Sequence, residues 1–288
     1  MQTAVVVLLD GLAYGMVLFI ISVGLTVTMG LMRVVNLAHG AFAMAGGYVA
    51  AVLVGAGTPF FAALVVGTVA AGLLGGLSEI TIFRPLYRKG ELAQVLMTFG
   101  MVFVTIAGLT FFFGTDIKRL PVPDYLGGLV DIGFRMYPTY RLFLIAVGAI
   151  LALGLWYLIE GSLYGARLRA AVDNPRMARA VGIDVNRLFT VTFIGGCALA
   201  GFGGIVGADM LPLEPFYALR YLVPFLVIVA VGGHGSFKGS FVAAITLGLL
   251  DTAGKFLVPD VAPYLFFGLV FVLLLLRPHG LWPAKSAG

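Results

Sequence analysis

The stretch Arg33–Gly40, RVVNLAHG, sets Asn36 and His39 between two long apolar runs. An amide and an imidazole at membrane depth are costly to bury and mark a route for a polar solute. The plainer alternative is that His39 sits at an interface and caps a helix. A second stretch, Gly232–Gly239, reads GGHGSFKG, with three glycines in four residues. Such a run cannot continue a stable helix, and broken helices in transporters line cavities where freed backbone groups find partners. Asn36, His39 and Gly40, together with Gly232, Gly233, His234 and Gly235, are therefore the candidate translocation pathway. The run Gly233–Ser240 is similar to a phosphate-binding loop, but Lys238 precedes Gly239 where that motif needs glycine before lysine. HExxH and GxSxG are both missing, and three histidines with one cysteine leave little from which to build a catalytic or metal centre. The chain is not expected to be an enzyme or to hold a metal or cofactor of its own.

Basic residues define a second candidate site. Between Gly161 and Arg187 lie Arg167, Arg169, Arg176, Arg179 and Arg187. The spacing predicts helices over Leu163–Val172, with Leu168, Ala171 and Val172 on one face, and over Pro175–Val181. Asn174 suits the N-cap of the second, Pro175 its first turn and Gly182 its C-terminal stop. A basic segment could simply rest on lipid headgroups. A segment with defined caps has a shape, and shape suits docking into a groove on a soluble partner.

The elements that must hold these groups are membrane spans. Of 288 residues 61% are hydrophobic and 11% charged, against about 25% charged in soluble domains. Too few polar residues remain to cover a soluble core. The net charge of +5 does not imply nucleic acid, because the basic residues lie in short loops between apolar runs. Nine runs are expected to span: Ala4–Leu31, Leu37–Val54, Phe60–Phe83, Ala93–Phe113, Leu142–Ile159, Leu188–Ala208, Tyr221–Val231, Phe241–Leu257 and Pro263–Leu276. The seventh is short and is the one suspected of being re-entrant, so the count is eight to nine. No basic residue precedes the first run, which outlasts a signal peptide and is expected to be retained. Placing the basic loops in the cytoplasm puts Arg33, Arg84, Arg88, Lys89, Lys238, Arg277 and Lys285 inside, the N-terminus outside and the C-terminus inside. The fold class is all-α: one polytopic transmembrane bundle over 1–288, with a cytoplasmic coupling loop at 161–187 and an external loop at 114–141. His39-Gly40-Ala41-Phe42 and His234-Gly235-Ser236-Phe237 are each followed by a similar alanine-rich run, which reads as an internal repeat. Gly196, Ala200, Gly204 and Ala208 recur every fourth residue and suit close helix packing. Glu79 and the pair Asp251 and Lys255, four apart, read as structural.

Four stretches, in order, resemble the compact permease subunit of the branched-chain amino-acid ABC transporter family. They are Gly24–Tyr48 with its NLAHG; Glu79–Gly100 with Arg84-Pro85-Leu86 and Thr98-Phe99-Gly100; Gly165–Gly207 with LRAAVDNP, Ala178 and Gly182-Ile183; and Arg277-Pro278-His279-Gly280-Leu281. The resemblance implies an importer with a second, usually different, permease subunit, two ATPase subunits that bind ATP and Mg, and a periplasmic binding protein, all at a bacterial inner membrane. It makes Gly165, Arg167, Arg169, Asn174, Pro175, Ala178, Gly182 and Ile183 the ATPase-coupling set. His234 departs from the pattern, which expects an apolar or variable residue there. The family also includes importers of urea and short amides, and an ion-coupled secondary transporter is the reading outside it. A cysteine at Ser162 or Arg176 is expected to react with an impermeant thiol reagent only from the cytoplasm, and one at Gly127 only from outside. Labelling of all three from one face would refute this topology.

Overall fold

Helix α9 (Val185–Val206) is where the bundle is tightest, because its small residues let backbones meet. A Cβ added at Gly46 of α2 (His39–Gly55) would lie 2.7 Å from the Gly201 Cα. Gly204 faces the Ala43 backbone of α2, Gly196 faces Gly24 of α1 (Gln2–Leu25), and Gly75 of α3 (Phe60–Ser78) faces Cys197. The opposite flank of α1 makes the same kind of contact with α12 (Phe237–Leu257), where Gly15 and Gly248 meet backbone to backbone. The computed structural model describes residues 2–32, 36–87, 89–133, 135–233, 235–278 and 280–282. Arg33, Arg88, His234, His279 and Lys285 lie outside them.

The remaining elements surround this centre. A three-residue α4 (Arg84–Leu86) extends the α3 line, and α5 (Glu91–Phe113) packs at the periphery with Phe111 83% exposed on what becomes a lipid face. The expected external loop holds a small antiparallel hairpin, β1 (Leu129–Asp131) and β2 (Met136–Pro138), the one addition to an otherwise helical fold among the described residues. Then come α6 (Thr139–Trp156), α7 (Leu163–Asp173), α8 (Pro175–Ala180) and α9, followed by α10 (Tyr217–Arg220), α11 (Leu222–Gly232), α12 and α13 (Ala262–Leu276). Among the described residues, six helices are long and apolar enough to cross a membrane. The second, seventh and ninth expected spans correspond to the shorter helices His39–Gly55, Tyr217–Gly232 and Ala262–Leu276. The 11 residues of α11 rise only about 16 Å, roughly half of a hydrocarbon core.

The two ends of the bundle are tied by different contacts. At the basic end Lys238 at the start of α12 pairs with Glu160 beyond α6 at 3.3 Å, and Arg84 reaches Thr190 of α9 at 2.6 Å. At the opposite end Asp10 of α1 receives the Tyr137 hydroxyl at 2.7 Å and pairs with Arg141. The relative sidedness of these helix ends matches the alternation expected from the sequence. Three helices finish in π-helical turns, at Thr26–Leu31, Glu79–Phe83 and Tyr157–Gly161. The two stretches proposed as a repeat each lead into a helix, α2 and α12.

Close approach makes a direct prediction. Gly204→Leu would drive a side chain into the Ala43 carbonyl, whereas a Cβ at Gly195, about two and a half turns earlier, meets nothing within 4 Å. Gly204→Leu is expected to abolish accumulation of folded protein and Gly195→Ala to leave it unchanged, read by detergent-extracted monodisperse yield and thermal midpoint.

Candidate functional site

The segment from Ser162 to Ile183 is an ordered unit with its own small core. Ser162 Oγ accepts the Gly165 N–H at 3.3 Å and starts α7. Gly165 is buried so close to the Ile159 carbonyl that no Cβ fits, and the Arg169 guanidinium donates to that same carbonyl at 2.5 Å. Asn174 Oδ1 accepts from Met177 N at 3.0 Å, with Pro175 in the first turn of α8. Gly182 takes φ +85°, Ile183 N donates to Ala178 O at 2.9 Å and Gly182 N to Arg179 O at 3.0 Å. This bond pair is the Schellman stop, in which the left-handed residue costs glycine nothing. Ala178 packs with Ala171 and Val185, covered by Ile183, Leu188 and Phe189. Asp184 then caps α9 by accepting from Arg187 N at 3.0 Å, a signal that went unread in the sequence. Everything else on α8 faces out, including Arg176, Arg179 and the apolar Met177 (61% exposed), and Val181 just beyond it is 69% exposed. Arg167 is exposed on α7.

Beside α8 lies a cleft of about 860 Å³, lined by Arg84, Tyr87, Gln94, Pro175, Arg179 and Asn186 among others. Its wall holds a carboxylate that is fully buried. Glu79 Oε1 receives the Arg84 Nε at 3.3 Å and the Tyr87 hydroxyl at 3.0 Å, while Oε2 receives Arg84 Nη2 at 2.8 Å and faces the Thr190 hydroxyl at 2.8 Å. Burial first, and the Glu79 charge second, push the Tyr87 hydroxyl well above its ordinary range and keep it a donor. The network fastens the end of α3 to the first turns of α9, directly after α8. Thr190 was not identifiable as a member, because its 111-residue separation from Glu79 leaves no sequence pattern.

The interior set occupies two levels along α1. His39 Nε2 donates to the Ile21 carbonyl at 2.8 Å, so the chain beyond Leu31 returns ten residues up the helix before α2 begins. Asn36 is wholly buried, and both of its side-chain polar atoms lack a hydrogen-bond partner among the described residues, as do His39 Nδ1, Ser22 Oγ and the Tyr217 hydroxyl. Gly40 packs on Ala218 of α10. About 13 Å further along, in the π-helical continuation of α1, Gly235 (φ +77°) lies against the Gly30 backbone. Gly232 abuts Gly239 and Ser240, and Gly233 (φ +97°) abuts Gly280. Leu281 N donates to Val231 O at 2.7 Å and Trp282 N to Gly232 O at 3.3 Å, closing the end of α11. The glycines of this break thus permit close backbone contact within the chain. Ser240 also bonds Thr26 at 2.8 Å. His234 lies outside the described residues.

A bundle of long apolar helices, with polar groups held at its interior breaks and a shaped basic segment at one end, defines a multi-pass membrane permease. The chain belongs to the branched-chain amino acid transport system / permease component family, whose model matches residues 7–275. It is 26% identical to the high-affinity branched-chain amino acid transport system permease protein BraD of Pseudomonas aeruginosa, over 95% of this chain and 94% of that one. It is 25% identical to the corresponding LivH of Escherichia coli, over 94% and 93%. Among solved structures, a chain of PsaBC from Streptococcus pneumoniae, in complex with Fab, shares the fold at TM-score 0.51 and 15% identity, over 94% of this chain and 89% of that one.

Replacing Glu79 by leucine removes the acceptor shared by the Tyr87 hydroxyl and the Arg84 guanidinium, whereas Thr190 keeps the Asn186 carbonyl at 2.9 Å. Each buried orphan costs on the order of 1–3 kcal/mol, less for Arg84, which is 37% exposed. Glu79→Leu is expected to lower the thermal midpoint by several degrees and Glu79→Gln by less, measured in detergent by intrinsic fluorescence.

Proposed function

We propose that this chain is a permease subunit of an ATP-driven importer that moves branched-chain or related hydrophobic amino acids across a bacterial inner membrane. Family membership and the named activities of BraD and LivH support the substrate class. In this reading it works with a second, different permease subunit, two ATPase subunits that bind ATP and Mg, and a periplasmic binding protein. Its N-terminus is outside and its C-terminus cytoplasmic. It has no catalytic group of its own.

The observation that carries the coupling role is α8. A six-residue helix cannot hold itself together in water, yet this one is fixed at both ends by Asn174 and Gly182 and anchored by Ala178. What it presents outward is Met177, Val181, Arg176 and Arg179, apolar groups rimmed by charge. That is the surface of a docking element, and Gly165, Arg167, Arg169 and Ile183 hold or flank it. In the same reading Asn36, His39, Gly40 and the Gly232–Gly235 break border the solute's route; unpartnered buried polar atoms at Asn36 and His39 support this, since such atoms are costly unless used.

The test is substrate-stimulated ATPase activity in the reconstituted complex. Gly182→Val forces a β-branched residue into a left-handed position at about 1–2 kcal/mol, and Pro175→Gly frees the first turn. Neither removes a positive charge. Both variants are expected to insert normally while ATP hydrolysis loses its response to the loaded binding protein. Undiminished stimulation in both would reduce the segment to a basic, headgroup-binding loop.

A further inference from the structure

At the end of the bundle opposite the basic loops, a cavity of about 390 Å³ opens between α1, α11, α12 and α13. Its floor is apolar: Leu18, Leu211, Ile228 and Leu247 line it and are otherwise almost fully buried. Its rim is charged. Asp251 and Lys255 of α12 pair at 2.5 Å, and Arg220 pairs with Glu214 at 2.6 Å. Each cation also lies over a tyrosine, Lys255 at 5.5 Å from the Tyr14 ring centre and Arg220 at 5.8 Å from that of Tyr221. The two cations keep 63% and 58% of their side chains exposed, whereas Asp251 keeps 16%.

We infer that this cavity is a docking subsite for a zwitterionic aliphatic α-amino acid. Asp251 takes its ammonium, Lys255 and Arg220 take its carboxylate, and the leucine and isoleucine floor takes its side chain. The inference rests on the amino-acid importer reading above and names where in this subunit the solute is received. Three features argue for it. The lining carries both signs, Asp251 against Lys255 and Arg220, so each charge of a zwitterion finds an opposite one. The volume falls in the range of small-molecule pockets, which combine apolar walls with a few convergent polar groups. An i,i+4 ion pair by itself contributes only about 0.3–0.5 kcal/mol, which does not account for gathering three charges and two tyrosines around an apolar hollow. At the rim the Tyr221 ring packs 4.7 Å from that of Tyr217, and Ala218, next in the chain, rests on Gly40.

The test is equilibrium binding of radiolabelled L-leucine to the assembled complex in nanodiscs, without the binding protein. Isopentylamine lacks the carboxylate and 4-methylpentanoate lacks the amine; each is expected to compete at least tenfold more weakly than leucine. Asp251→Asn is expected to weaken leucine binding at least tenfold. The swap Asp251→Lys with Lys255→Asp keeps an ion pair and is expected not to restore it, whereas a purely structural pair would be rescued. Leucine binding that is absent from the wild type, or unchanged in both variants, overturns the proposal. So does retention of a phospholipid, the other zwitterion at this depth, by the wild type but not by Asp251→Asn in native mass spectrometry, with leucine failing to displace it. Leucine uptake by the complete importer is measured separately. Uptake with no Asp251-dependent binding refutes only the subsite, and no uptake of any amino acid refutes the importer reading.

Discussion

Backbone-to-backbone contact at glycine is the constraint on which the rest of this bundle depends. Lipid tails are as apolar as leucine, so helices in a membrane gain little from hiding hydrophobic side chains from one another and must gain from close packing instead. Gly201 against Gly46, Gly196 against Gly24 and Gly204 against Ala43 bring α9 within touching distance of two partners, α2 and α1. Gly15 and Gly248 do the same for α1 and α12. With α1 gripped on two flanks, its second half becomes a fixed rail. Both interior breaks are read against it, His39 at Ile21 and Gly235 at Gly30.

Polar groups inside this packing are handled in two contrasting ways. Glu79 is fully buried and is met by Arg84, Tyr87 and Thr190, a satisfied network that locks two helix ends together. Satisfied networks in a low dielectric rigidify, and this one joins α3 to α9 directly after α8. Asn36 and His39 are buried too, yet among the described residues the Asn36 side chain and one His39 ring nitrogen have no hydrogen-bond partner. The first arrangement holds shape; the second leaves polar capacity at the level where the helices are interrupted.

The basic segment joins these properties at one end. Its small core of Ala171, Ala178 and Val185 is separate from the main one, so α7 and α8 move or stay as a unit carried by α9. Gly165 pressed on the Ile159 carbonyl and Arg169 bonded to it seat that unit on the end of α6. The unit thus meets the membrane helices at two places, the end of α6 and, through α9, the Glu79 contact with α3.

The parts legible in the sequence are those made by neighbours in the chain. Hydropathy alone marked the helical runs, although three proved short for a crossing. The cap at Asn174, the turn at Pro175 and the stop at Gly182 could be placed because their hydrogen bonds close over three to five residues, and residue type decides each. The stripe at Gly196 and Gly204 announced tight packing without naming its partners. Tertiary structure alone decided that the Gly232–Gly235 break lies against Gly30, Gly239 and Gly280, that the chain climbs back to place His39 on Ile21, that Glu79 finds Thr190, and that Asp251 and Arg220 rim one cavity. Apart from the one to Gly239, these contacts join residues tens to hundreds of positions apart. A contact of that kind depends on every helix between its partners packing at its own angle and depth, and no short stretch of sequence carries that sum.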